Sequence, residues 1–263
     1  MATYGWSDLK ILMVNGIPAH NETTSFQIND LRAGVVDTTR IGQTHEERKF
    51  DGILSAKFSQ VVLYDPVAPT LSDELFNPTT GLLGAAARVA SVPIVVALAG
   101  DSRGQPFIGM AGMQASVGSR DISKGDVQRV TIDYENVSNY GIGDGKIIDW
   151  GNCSAGVSTG YADFGSASTY GGVFHVHLVS YTSTPTQIAV KLQHCTTAGG
   201  TYTDVSGATT GTVAVASLPI GFAIPIANGT TLNQYVKAFY TFTGGTAPTV
   251  LAFAGLVRKT TAT

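Results

Sequence analysis

Apolar runs that are repeatedly cut by turn dipeptides constrain this chain more than any other feature. Asn15-Gly16, Thr184-Pro185, Ala198-Gly199-Gly200, Asn228-Gly229 and Gly244-Gly245 each separate two runs of strand-like residues. Asn and Gly take up the positive φ that tight hairpin turns demand, whereas Pro presets a turn and cannot continue a ladder. Alternation of period two between such breaks predicts antiparallel strands, and many of them at this spacing predict a mainly all-β chain built as a sandwich or barrel. Composition agrees. Charged residues make up 13% of the chain, against roughly 25% in an average soluble domain. The surface is then polar through Thr and Ser hydroxyls, which cost less to desolvate than ions and suit burial between subunits.

The 263 residues suffice for two modest domains. Residues 1–150 carry 17 acidic and 12 basic side chains, a net of −5, whereas residues 151–263 carry 2 and 4, a net of +2. This break near Trp150-Gly151-Asn152 predicts a boundary there, with Gly141-Ile142-Gly143-Asp144-Gly145 as a hinge. Strands are expected over Asp8–Asn15, Thr23–Ile28, Ile53–Tyr64, Val92–Leu98, Phe107–Val117 and Val127–Val137 in the first part. Gly34–Arg48 reads as a long polar loop, a kind usually reserved for function or interfaces. One or two short helices are expected, the first near Leu71–Phe76 behind a Thr70 or Ser72 cap and the second within Leu82–Ala90. The second part predicts an Ig-like or jelly-roll β-sandwich from Gly172–Tyr181, Gln187–Cys195, Thr201–Val205, Thr212–Ala216, Gln234–Phe242 and Val250–Arg258.

Candidate chemistry is sparse. Ser102 in Gly100-Asp101-Ser102-Arg103-Gly104 resembles a nucleophile turn, but no marked base or acid accompanies it, and the string suits a polar hairpin tip. His175 and His177 sit two apart and so share one strand face; with His194 they could make a three-His metal site. No acidic residue stands near to orient the rings, so surface or interface histidines are the preferred expectation. Asp133 and Glu135 share a face opposite Ile132 and Tyr134, which suits a wet or lumen-facing strand better than a glycosidase pair lacking its aromatic cleft. Glu46-Glu47 beside Arg48 and Lys49 reads as a salt-bridged loop, and Asp73-Glu74 as a helix start. Cys153 and Cys195 read as buried thiols rather than a disulfide or metal pair. Neither part clusters Lys and Arg as phosphate binding requires, and no segment reaches the length of a membrane helix or has the layout of a secretory leader. The expectation is a non-enzymatic protein without metal or cofactor.

Two stretches carry a resemblance. Thr38-Thr39-Arg40, His45-Glu46-Glu47-Arg48, Asp51-Gly52, Ala56-Lys57-Phe58 and Tyr64-Asp65 resemble the polar loop and following strand of siphophage tail-tube (major tail) proteins. Lys191-Leu192-Gln193-His194, Gly199 through Val205, Gln234 through Lys237, Thr243 through Thr246 and Phe253 through Lys259 resemble the second domain appended to many actinophage-type tail proteins. The resemblance implies a tail-tube-like first domain and a decorating second one. It implies homohexameric rings, with trimeric rings as a variant, stacked into a hollow phage tail. Other tail proteins would meet the tube ends. DNA would pass through without specific binding. The subunit would be made in the bacterial host cytoplasm and would reside in the virion. Thr38, Arg40, His45, Glu46, Glu47 and Arg48 would then contact a neighbouring ring or subunit, and Asp133 and Glu135 would face the lumen. The competing expectations are a carbohydrate-binding module using Tyr161, Tyr170, Tyr181, Tyr202 and Tyr240, and a capsid-decorating protein.

Overall fold

A computed structural model describes residues 9–20, 22–37, 48–63, 92–98, 100–121, 128–136, 142–157 and 160–259. In chain order the described strands are β1 (Ile11–Val14), β2 (Ile17–Pro18), β3 (Thr23–Asp37), β4 (Arg48–Leu63), β5 (Val92–Ala97), β6 (Pro106–Asp121), β7 (Arg129–Asn136) and β8 (Ile142–Ser154). They continue as β9 (Gly156–Val157), β10 (Ala162–Asp163), β11 (Gly172–Thr182), β12 (Gln187–Cys195), β13 (Thr203–Thr209), β14 (Val213–Ala214), β15 (Ile220–Ile226), β16 (Tyr235–Thr243) and β17 (Thr249–Arg258). The chain is all-β, and a single 3₁₀ turn at Val215–Ser217 is the one helical element among the described residues. The helices expected near Leu71–Phe76 and Leu82–Ala90 lie outside them.

One sheet follows the path β15-β11-β17-β8-β6-β5-β1-β2, and a second, smaller sheet is built on β10-β16-β12-β13. The large sheet curls until its two ends meet. A Cβ placed on Gly16, in the β1–β2 turn, would fall 2.4 Å from the backbone nitrogen of Ile220 in β15. Across the same seam Gly16 N–H donates to His177 Nδ1 at 3.0 Å, and Gly221 N–H donates to Asn15 Oδ1 at 3.4 Å.

Alternation along each wall sorts side chains into three cores. Ile11, Met13, Val95, Ala97, Phe107, Ile147 and Phe253 fill the inside of the curl. Leu12, Val14, Ile94 and Val96 point the other way, toward Phe58, Val62, Ile132 and Tyr134 on β4 and β7. Phe174, Val176, Ile148, Ala252 and Leu256 face the small sheet, whose Ile188, Val190, Leu192, Val236 and Tyr240 complete a sandwich. Strands covered on both faces must read as unbroken apolar runs, which accounts for Ile11–Val14 and Val92–Ala97. Glycines in the walls leave room for rings inside: a Cβ on Gly145 or Gly255 would strike Phe107, and one on Gly109 would strike His175.

The boundary expected near Trp150 falls inside β8, a single strand paired with β6 early and β17 late. Gly143 and Gly145, read as hinge residues, are ladder residues opposite Gly109 and Phe107. They leave room for close neighbours, the Val257 side chain at Gly143 and the Phe107 ring at Gly145, rather than bending the chain. The expected long loop is also shorter than read. β3 and β4 stay paired from Thr23↔Val62 out to Asp37↔Arg48, because backbone ladders continue where side chains stop alternating. Strand β15 was missed, having Pro225 and no alternation of polarity.

Packing beneath β4 includes one buried polar relay. Gln60 is fully buried; its Nε2 donates to Thr23 Oγ1 at 2.5 Å and its Oε1 accepts from Tyr134 OH at 3.0 Å. Phe58 stacks on Tyr134 at 4.5 Å and holds the ring in place. Replacing Gln60 by Leu strands the Tyr134 hydroxyl without its acceptor, so Gln60→Leu should cost about 1–3 kcal/mol in urea unfolding. Adding Tyr134→Phe should recover most of that loss, since Thr23 Oγ1 keeps its bond to Ala19 O. A double variant no more stable than Gln60→Leu would show that the relay is not the cause.

Candidate functional site

The residues singled out from sequence fall into distinct places. Ser102 is exposed on the β5–β6 hairpin tip, as expected of a polar turn. His45 and Asp65, a histidine and an acid that nothing in the sequence marks as partners of Ser102, lie outside the described residues. His175 and His177 do share a face of β11, but that face is the inside of the curled sheet: they are 1% and 0% exposed. The expectation of surface histidines is therefore corrected; both faces of β11 are covered, one by the barrel core and the other by the small sheet. His175 stands edge-on to Phe107 at 5.8 Å and His177 edge-on to Phe253 at 6.0 Å. His194 sits on β12 in the other sheet, accepting Asn233 N–H at 3.2 Å, so the three rings do not meet. Among the described residues no group of three His, Cys, Asp or Glu side chains is placed to hold a metal. Burial lowers the pKa of His175 to about 3 and drives that of His177 well below the usual imidazole range, with the neighbouring His175 adding to the second shift.

Cys153 and Cys195 are buried and unbridged, and burial pushes the Cys153 thiol up to about 12. Of the tyrosines, Tyr161, Tyr170 and Tyr181 are exposed, Tyr202 is half-buried under Lys237, and Tyr240 is a core residue. Thr38, Arg40, His45, Glu46 and Glu47, together with Asp73 and Glu74, lie outside the described residues, and Arg48 opens β4.

Asp133 and Glu135 belong to the most distinctive surface. Beyond the barrel the large sheet extends as a separate stretch in the order β3-β4-β7-β6. One face packs Phe58, Gln60, Val62, Val130, Ile132 and Tyr134 inward. The other carries Lys57, Ser59, Arg129, Thr131, Asp133, Glu135, Gln114 and Ser116. Glu135 pairs with Lys57 at 2.8 Å across the strands, and Ser59 Oγ donates to Asp133 Oδ1. Among the described side chains of this face, Asp133 and Glu135 stand with Lys57 and Arg129, and the partly exposed Val61 and Leu63 lie between them.

The margins of this stretch are long. β3 pairs with β4 alone, and β5 leaves β6 at Met113, so Ala115–Asp121 has no strand on that side among the described residues. The β3–β4 ribbon also runs on past the last β7 pairing, Lys57↔Glu135, to Asp37↔Arg48 with no third strand among the described residues. The resemblance to tail proteins pointed at the loop between β3 and β4; the ribbon and its margins became visible only through pairing.

No protein-family model matches the chain, and no curated protein matches it. Among solved structures, the crystal structure of SPP1 Dit (gp 19.1), described as a paradigm of hub adsorption apparatus in phages infecting Gram-positive hosts, is 11% identical. The comparison covers 93% of this chain and 97% of that one, with a TM-score of 0.30. The phage p2 baseplate in its activated conformation matches with Sr at 7% identity, covering 92% of this chain and 91% of that one, TM-score 0.28. The Ca form matches at 8%, covering 90% and 91%, TM-score 0.28. Likenesses of this degree assign no role to the chain.

Proposed function

We propose that this chain is a structural, non-enzymatic subunit of a phage tail that closes into a ring with copies of itself. The observation that carries the reading is the pair of long margins on one four-stranded stretch: β3 on one side, the outer half of β6 on the other. Unpaired strand edges template association unless they are blunted or covered. A two-stranded ribbon such as the outer part of β3–β4 is also marginal by itself in water. Docking β3 of one copy beside β6 of the next satisfies both margins. Because the two surfaces differ, the contact is head-to-tail and repeats until the ring closes.

The polar face of Asp133 and Glu135 would then line the central hole. With Glu135 held by Lys57 and Asp133 by Ser59, the wall would offer acids among its bases rather than the clustered Lys and Arg that capture phosphate, which suits passage of DNA. Stacked rings of six such subunits, or three, would form the tail tube suggested by the sequence resemblance, the segment between β3 and β4 reaching the adjacent ring. The sandwich built on the small sheet would sit outside.

Size-exclusion chromatography with light scattering, followed by negative-stain microscopy, tests this directly. Rings with a central hole are expected. Replacing residues 31–56 by an Asn-Gly turn should leave a folded chain that runs as a monomer. A wild-type chain that remains monomeric at high concentration with a native melting transition would end the proposal.

A further inference from the structure

The hairpin tip that connects β5 to β6 folds against β8 and forms a shallow cleft of about 350 Å³ lined by Asp101, Ser102, Arg103, Asp149 and Trp150. That volume is at the small end of the ~300–1,000 Å³ typical of ligand sites. Its floor is fixed. Arg103 donates from Nε to Ile148 O at 2.7 Å and from Nη2 to Asp149 Oδ1 at 3.0 Å, and the pair is largely shielded from solvent. Its rim is not committed: the Asp101 carboxylate, the Ser102 hydroxyl and the Trp150 indole N–H make no hydrogen bond to the described residues. Trp150 packs against the core inside the curl while remaining partly exposed beside the tip. A locked ion pair beside a partly exposed aromatic ring, with three unspent hydrogen-bonding groups on the rim, is a recognition arrangement that neither the hairpin nor the ring contact uses.

The chemistry narrows the ligand. Two carboxylates against one guanidinium, already paired, disfavour phosphate or sulfate. With Asp149 spent on Arg103, one carboxylate and a hydroxyl remain, too few oxygen ligands for a bare cation. A purely apolar guest would leave Asp101 desolvated and unpaired. A neutral ring with a C–H face for the indole and several hydroxyls for Asp101, Ser102 and the indole N–H satisfies every group. We propose that this cleft binds a neutral saccharide unit, a hexose or N-acetylhexosamine, with Trp150 as platform and Asp101 as the hydroxyl acceptor. The site lies apart from the β3–β6 margins, so it can operate on a single subunit or on a ring.

The chain has two tryptophans, so Trp6→Phe leaves Trp150 as the sole indole reporter. Emission of that variant would be titrated with glucose, galactose, rhamnose, N-acetylglucosamine and N-acetylgalactosamine, and separately with sodium sulfate and calcium chloride. A saturable shift with at least one sugar is expected, absent with the salts. Asp101→Asn should weaken it by about tenfold or more, the size of one well-placed polar contact. Ser102→Ala should weaken it less, and Asp163→Asn, away from the cleft, not at all. Asp101 and Ser102 are exposed tip residues, so an unchanged melting transition is the folding control for both. No shift with any sugar, an equal response to sulfate or calcium, or undiminished binding by Asp101→Asn would each overturn the assignment. None of these outcomes depends on whether rings form.

Discussion

Alanine at position 16 should lower the melting temperature of this protein by about 10 °C, through a loss of about 4 kcal/mol at the roughly 2–4 °C per kcal/mol usual for a chain of this size. Two causes act together. Asn15 and Gly16 have φ of 50° and 90°, the pair of positive values that a two-residue hairpin turn between β1 and β2 requires. An L side chain at +90° is strained by itself, at about 1–2 kcal/mol. The new Cβ would also lie 2.4–2.7 Å from the backbone N, C and O of Ile220. No flexible side chain can yield there, so β15 must retreat. That movement breaks the Gly16–His177 and Asn15–Gly221 bonds which close the curled sheet. Gly104→Ala is the matched control. Its φ is 82°, yet nothing lies within 4 Å of the added Cβ, so only the conformational cost of about 1 kcal/mol should register. If both variants melt within a degree or two of each other, the seam contributes nothing and the turn alone explains the glycine.

Asn15-Gly16 also shows what was legible in the sequence. The turn was read correctly from the dipeptide because its chemistry is local. The second contact of the same residue, with Ile220 two hundred residues away, is a matter of tertiary closure and leaves no local trace. The same division runs through the strands. Gln187–Cys195 and Tyr235–Thr243 each have one covered and one wetter face, and alternation located both. The 129–136 segment was legible for the same reason, down to Asp133 and Glu135 opposite Ile132 and Tyr134. β8 and β15 have both faces committed or carry small residues where another element approaches closely, so period two is lost; the start of β8 was read as a hinge and β15 was not assigned as a strand. The histidines were misplaced for a related reason. Spacing fixes that His175 and His177 share a face, but not which face is dry. A signal was available: Gly172 through Val179 contains no charged residue and no Ser or Thr, as expected of a strand covered on both sides. Of the assembly surface, the sequence offered the acids and the loop; the paired margins required knowing which strands are neighbours.

Burial of that histidine pair should make the fold acid-sensitive well above the range in which carboxylates titrate. An unfolded imidazole binds its proton near pH 6.5, whereas inside the curl His175 resists protonation until about pH 3 and His177 also titrates well below its ordinary value. Between the folded and unfolded values the unfolded chain therefore holds more protons, so stability rises with pH. The contribution is complete above about pH 6.5 and is lost progressively as pH falls below it. Each unit is worth about 1.4 kcal/mol per group, so moving from about pH 7.5 to about pH 5 should remove about 4 kcal/mol for the two rings together. Among the described residues no acidic side chain faces them to offset the cost: the elements around the pair present Phe107, Gly109, Gly16, Phe253 and Val257. Protonation of His177 Nδ1 would also abolish the acceptor for Gly16 N–H, so acid acts first on the seam between β11 and the β1–β2 turn. Urea midpoints at the two pH values should fall accordingly in the wild type. His175→Phe, which keeps a ring against Phe107 but cannot titrate, should show about half the pH dependence. Where that variant folds poorly, imidazole NMR of the wild-type protein reads the same quantity, with two of the five histidines titrating well below the usual imidazole range. Equal urea midpoints at both pH values, or five histidines all titrating near pH 6.5, would mean that these rings reach water and that the curled sheet is not closed as described.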